Sequence, residues 1–168
     1  MGLFFSNIQI RRTENELDFA QIAAVLTEGR DLSAVDNEEE ADIALSVFTV
    51  ADSPWITVCS DLIEGDFEEL GAKARRLSET LQTQTLALAC LDSDYFCMNL
   101  IDAANGADLW AANGRMTEGK APRRSSLAPW KRYVSDIEAF KRTMRGKYVF
   151  AEACLDGLEP LLSLPVLQ

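Results

Sequence analysis

Apolar residues along the chain alternate, then recur at spacings of three and four, then alternate again, and these changes of period set the expected elements. Residues 3–11 read Leu-Phe-Phe-Ser-Asn-Ile-Gln-Ile-Arg, a β-rich run that predicts a first strand. Thr13, followed by Glu14 and Glu16, supplies an N-cap with acids in the first turn. A helix is expected to start there and to carry Phe19, Ile22, Ala23 and Leu26 on one stripe, ending near Gly29. Residues 31–42 form an acidic loop. The runs 41–50 and 55–60 are strand-like, and Ala51-Asp52-Ser53-Pro54 between them completes a hairpin pattern. Asp66 or a neighbour is expected to cap a second helix, in which Phe67, Leu70, Ala74, Leu77 and Leu81 form the apolar face.

Residues 85–92 and 95–102 are again strand-like, with Asp92-Ser93-Asp94 as the turn between them. Asn105-Gly106 reverses the chain into a short return strand at 108–112, before Asn113-Gly114. A loop with Gly, Pro, Ser and Arg covers 115–126. Beyond it Trp130, Tyr133, Val134, Ile137, Lys141 and Met144 trace one amphipathic helix that stops at Gly146. A final helix is expected from Val149 to Leu158, with Pro160 and Pro165 limiting anything after it.

The order β-α-β-β-α-β over the first 92 residues is that of the ferredoxin-like, split βαβ fold, here extended at its edge by the 95–112 β-hairpin. The expected class is α+β and the chain a single domain over 1–168. It divides into a sheet with two helices (1–112), a loop (113–126) and a C-terminal helical segment (127–168). Both alternating sets in the strands are largely apolar, as in Leu86, Leu88 and Cys90 against Ala87, Ala89 and Leu91. Such a sheet needs both faces covered, and the two C-terminal helices or a second subunit are expected to cover the second one. An element order of this kind hosts unrelated functions and carries no activity by itself.

With 168 residues, 48% hydrophobic and 26% charged, the chain suits one packed core. It has no histidine, which removes Ser-His and Cys-His nucleophilic pairs, His-ligated zinc and imidazole switching. Cys59, Cys90, Cys97 and Cys154 show no C-x-x-C spacing and read as free, buried thiols of a reducing compartment. With no membrane-length apolar run and no secretory signal pattern, a cytoplasmic location is expected. Met1-Gly2-Leu3-Phe4-Phe5-Ser6 fits a myristoylation template, but the strand pattern through Ile8 and Ile10 and the lack of a second anchoring signal favour a strand.

Sixteen basic against 27 acidic residues give a net charge of −11, which disfavours nucleic acid and anionic membranes as partners of the whole chain. The charge is segregated. From Arg115 to Lys147 there are ten basic residues against three acidic (+7), and in the remainder six against 24 (−18). The basic stretch, which includes Trp130 and Tyr133, is expected to dock on an acidic surface of its own fold or of a second subunit. Residues 55–60 lack the Arg/Lys-Gly-aromatic pattern of RNA-recognition sheets.

Two groups of candidate site residues emerge. Asp31, Asp36, Glu38, Glu39, Glu40 and Asp42 could bind a protein partner, which complementary potential would favour being basic. Asp92, Asp94, Asp102, Arg123 and Arg124 could line a ligand pocket, since D-x-D carboxylates suit hard cations and arginines suit phosphate, although Asp and Ser are also what a tight turn demands. No P-loop, G-x-S-x-G elbow or G-x-G-x-x-G run is present. No catalytic residue or metal ligand is assigned and no cofactor is implied. The sequence is expected to encode a non-enzymatic protein-binding or regulatory module, inhibitor- or immunity-like in kind, with homo-oligomerisation compatible. The alternative is a small-molecule or metal-binding enzyme or sensor.

Overall fold

A computed structural model describes residues 4–14, 17–30, 43–63, 66–116 and 125–165. The chain is α+β. Six strands, β1 (Phe5–Arg11), β2 (Leu45–Thr49), β3 (Trp55–Ser60), β4 (Gln84–Leu91), β5 (Tyr95–Asp102) and β6 (Ala107–Gly114), form one antiparallel sheet in the order β2-β3-β1-β4-β5-β6. Four helices accompany it: α1 (Phe19–Leu26), α2 (Phe67–Leu81), α3 (Ile137–Arg145) and α4 (Leu155–Leu162). None is long and apolar enough, among the described residues, to cross a membrane.

The strand period of two sorts side chains onto two faces. On one, Ile8, Ile10, Ile56, Val58, Ala87, Ala89 and Ile101 meet Ile22 and Leu26 of α1 and Phe67, Leu70, Ala74 and Leu77 of α2. On the other, Leu86, Leu88, Phe96, Met98, Leu100 and Leu109 meet Trp130, Phe140, Met144, Cys154, Leu158 and Leu162. Both cores are fully apolar at their centres, so each face is closed by its own pair of helices. The second core is locked by Trp130 stacked on Phe140 at 4.9 Å and by the Trp55 indole, which donates to the Leu162 carbonyl at 2.8 Å. Beside that core β1 and β3 carry a buried polar row: Thr57 Oγ1 donates to Gln9 Oε1 (2.9 Å), and Gln9 Nε2 donates to Asn7 Oδ1 (2.8 Å).

Of the cap positions the sequence left open, Asp66 or a neighbour, Asp66 is the cap of α2. The Asp66 carboxylate accepts the N–H groups of Glu68 (2.6 Å) and Glu69 (3.3 Å), and the stripe residues are buried. Three expectations are corrected. Helix α1 is capped by Asp18, not Thr13: Asp18 is extended and accepts the Ala20 N–H at 2.9 Å, immediately before the first stripe residue. The single helix expected from Trp130 to Met144 is two elements, a 3-10 turn at Ala128–Arg132 and α3, separated because Asp136 adopts φ −140° and accepts the Glu138 and Ala139 N–H groups. The last helix starts later than Val149 and runs through Pro160. Leu155, Leu158 and Leu162 are buried along it, and that burial outweighs the one backbone bond proline removes.

At the end of the sheet where β4 turns into β5, Gly114 is indispensable. Its φ is +87°, and a Cβ there would lie 2.0 Å from the Asp94 carbonyl oxygen. Gly106 also has positive φ (+65°), but open space surrounds it. Gly114→Ala should therefore cost about 3 kcal/mol or more, and Gly106→Ala about 1 kcal/mol from backbone strain alone. Urea denaturation of the two variants checks that difference; equal losses would contradict it.

Candidate functional site

The β4–β5 connection is built for a tight reversal. Leu91 pairs with Tyr95, Asp92 and Ser93 are both left-handed (φ 48° and 57°), and the Asp94 N–H donates to the Leu91 carbonyl at 3.0 Å. Short polar side chains tolerate that conformation, so the turn reading of these three residues holds locally. Ser93 is buried and ties the turn to the C-terminal segment. Its hydroxyl donates to Glu152 Oε1 at 2.8 Å, and its carbonyl accepts the Ala151 N–H at 2.6 Å.

Asp92 and Asp94 themselves are exposed. With Phe4, Leu91, Tyr95, Arg115 and Met116 they line an open cleft of about 350 Å³. Asp102 does not join them. It sits at the other end of β5, about 25 Å away by strand rise, and is 3% exposed. Its carboxylate accepts the Asn105 backbone N–H (3.2 Å), Asn105 Nδ2 (2.8 Å) and Gln84 Nε2 (3.2 Å), which makes it the cap of the β5–β6 connection. Burial, then the Asp102 charge, pushes the neighbouring Tyr133 hydroxyl up. Asp31, Asp36, Glu38, Glu39, Glu40, Asp42, Arg123 and Arg124 lie outside the described residues. Among the described residues no group of three His, Cys, Asp or Glu side chains is placed to hold a metal ion.

What the sequence pattern missed is on the surface. Phe4, Phe19, Phe48, Val50, Tyr148, Val149 and Phe150 are large apolar side chains left exposed. Three of them are consecutive, in the connector from α3 to the 3-10 turn Ala151–Cys154 that precedes α4. A helix was expected to begin at Val149, yet three successive apolar residues cannot share one helical face, and that was the available signal.

The four cysteines are free, and Cys90, Cys97 and Cys154 are buried. Burial, then the Glu152 charge, pushes the Cys90 thiol up to about 12. Burial, with Cys90 nearby, pushes Cys154 up to about 12 as well. Cys97 and the half-buried Cys59 are raised by burial. A thiol held neutral is a poor nucleophile, so these are core groups. Their pH linkage has a definite sign. In the unfolded chain the thiols ionise near 9, while in the fold Cys90 and Cys154 keep their protons to about 12, so the stability they confer is complete below pH 9 and falls as pH rises toward 12. Urea denaturation from neutral to strongly alkaline pH should show that fall, with a shallower slope in Cys154→Ala. A colorimetric thiol reagent at neutral pH should label half-buried Cys59 first, though more slowly than a free thiol, and the other three only on unfolding.

No protein-family model, no curated protein and no solved structure matches the chain, so its function has to be argued from this geometry.

Proposed function

We propose that the chain is a non-enzymatic protein-binding module, inhibitor- or immunity-like in kind, that works in a reducing, cytoplasmic setting. Its scaffold is read as ferredoxin-like: the strand order β4-β1-β3-β2 with α1 and α2 on one face supports that arrangement, and β5 and β6 extend it past β4. The observation that carries the function is a contrast in how side chains are used. Ser93, Asp102 and Glu152 spend their polar groups inside the fold, while large apolar side chains stand in solvent at the β4–β5 end and beside the edge strand β2. Exposed apolar groups in two separate clusters, at the β4–β5 turn and at the β2 edge, suit association with other macromolecule surfaces rather than chemistry. The acids at 31–42 would add long-range steering toward a basic region of a partner.

The alternative, a small-molecule site, draws on the cleft that Asp92, Asp94 and Arg115 help to line. Thermal unfolding with divalent cations and phosphorylated metabolites, run beside affinity capture from the native lysate, separates the two readings. The expected result is an unchanged melting temperature with every small ligand and a stoichiometric protein partner, or a second copy, in the capture. A concentration-dependent rise in melting temperature with a cation or metabolite, lost in Asp94→Asn or Arg115→Gln, would overturn the protein-binding reading.

A further inference from the structure

The connector from α3 to α4 is pinned at both ends and exposed in the middle. Asn113 Nδ2 donates to the carbonyls of Met144 (3.1 Å) and Gly146 (2.9 Å), and the Ala151 N–H donates to the Ser93 carbonyl (2.6 Å). Tyr148, between these anchors, reaches back to α3, its hydroxyl donating to the Thr143 carbonyl at 3.1 Å. Its ring folds over Gly146, where a Cβ would come within 2.7 Å of it. The result is a strap whose backbone is held by the sheet while Tyr148 is 36%, Val149 88% and Phe150 58% exposed. Displaying three large apolar groups side by side costs solvation free energy, which docking would recover with little further ordering of the chain.

Charge indicates what kind of surface fits. Residues 141–150 carry Lys141, Arg142, Arg145 and Lys147 and no acid. Lys141 is paired with Glu138 at 2.7 Å, and Arg142 lies near Asp136 and Glu138. Arg145 and Lys147 are exposed and make no ion pair among the described residues. A tyrosine, a phenylalanine and arginines around an apolar tip are the composition that interface cores favour. A long polyanion would also meet the exposed Asp92 and Asp94, which flank Ser93 at the strap's 151 end, whereas a short acidic segment can meet Arg145 and Lys147 at its 146 end.

Resting on the protein-binding reading, we propose that the strap at 146–151 is the docking element and that its partner presents an acidic segment bearing apolar side chains. The test is selection from a random peptide display library with the full chain as bait. It is run in parallel with Val149→Ser/Phe150→Ser, whose substitutions are on the surface and should leave the melting temperature unchanged. Acidic peptides with an aromatic or aliphatic residue should be enriched by the parent. Made synthetically, they should bind about tenfold or more weakly to the double-serine variant. They should also weaken in Arg145→Gln/Lys147→Gln and at high salt, and keep their affinity in Phe150→Leu. Peptides that bind parent and double-serine variant equally would overturn the strap as the site and leave the protein-binding reading standing. Enrichment of basic peptides, or strap-dependent binding of phosphatidylserine vesicles or an oligonucleotide in their place, would overturn the partner chemistry. No enrichment by either bait would overturn the strap proposal, while the lysate capture judges the broader reading on its own.

Discussion

A sheet that is apolar on both sides cannot be left half covered, and the rest of this molecule follows from that. Along β4, Leu86, Leu88 and Cys90 point one way and Ala87 and Ala89 the other, and all five are buried. One residue of slip would exchange the two sets and ruin both cores at once, so register is firmly specified. Within β4 the small Ala87 and Ala89 lie on the α2 side and the larger Leu86 and Leu88 on the side of α3 and α4. The chain must therefore leave β6 and return across the opposite face, and the path of that return decides what the surface displays.

Polar accounting then limits where chemistry could take place. A buried polar group without a partner costs about 1–3 kcal/mol, and most here are satisfied by one another. Lys73, almost fully buried, donates to the Leu62 carbonyl and pairs with Glu69. Ser78 accepts the Ala103 N–H and donates to the Thr83 carbonyl, joining the end of α2 to the β5–β6 connection. Among the described residues the Trp130 indole N–H is a buried donor with no hydrogen-bond partner. It is enclosed by its own stacking on Phe140, so this packing is bought with one hydrogen bond left unmade. Groups tied up in this way are structural.

Much of the fold was legible because local and global signals agreed. Asp66, two first-turn glutamates and an unbroken stripe specify α2, and alternating apolar runs between turn residues specify the strands. Legibility failed where one local pattern had two solutions. Thr13 and Asp18 are both capping residues, and only contact with the sheet selects the one adjacent to Phe19. Trp130, Val134, Ile137 and Met144 keep helical spacing across a break, since the 3-10 turn and α3 bury the same side against the same core. An aspartate with helix-forming neighbours in mid-stripe was the clue to that break. Of the candidate site, Asp102 could not be read locally, because its partners Gln84 and Asn105 reach it only when β4 and β5 pair and the β5–β6 connection closes.

Net charge is a poor guide to what a surface prefers, since a docking partner feels charges only within a Debye length, about 8 Å at physiological ionic strength. Here the strap has Arg142, Arg145 and Lys147 at its 146 end and the exposed Asp92 and Asp94 at its 151 end, so the field changes sign along it. The strap in turn depends on the Asp92-Ser93-Asp94 turn. Two successive left-handed residues aim the Ser93 carbonyl at the Ala151 N–H, and the Ser93 hydroxyl holds Glu152. A turn chemistry that resembles a cation site in sequence therefore acts as an anchor. It fixes the place where three apolar side chains leave the fold.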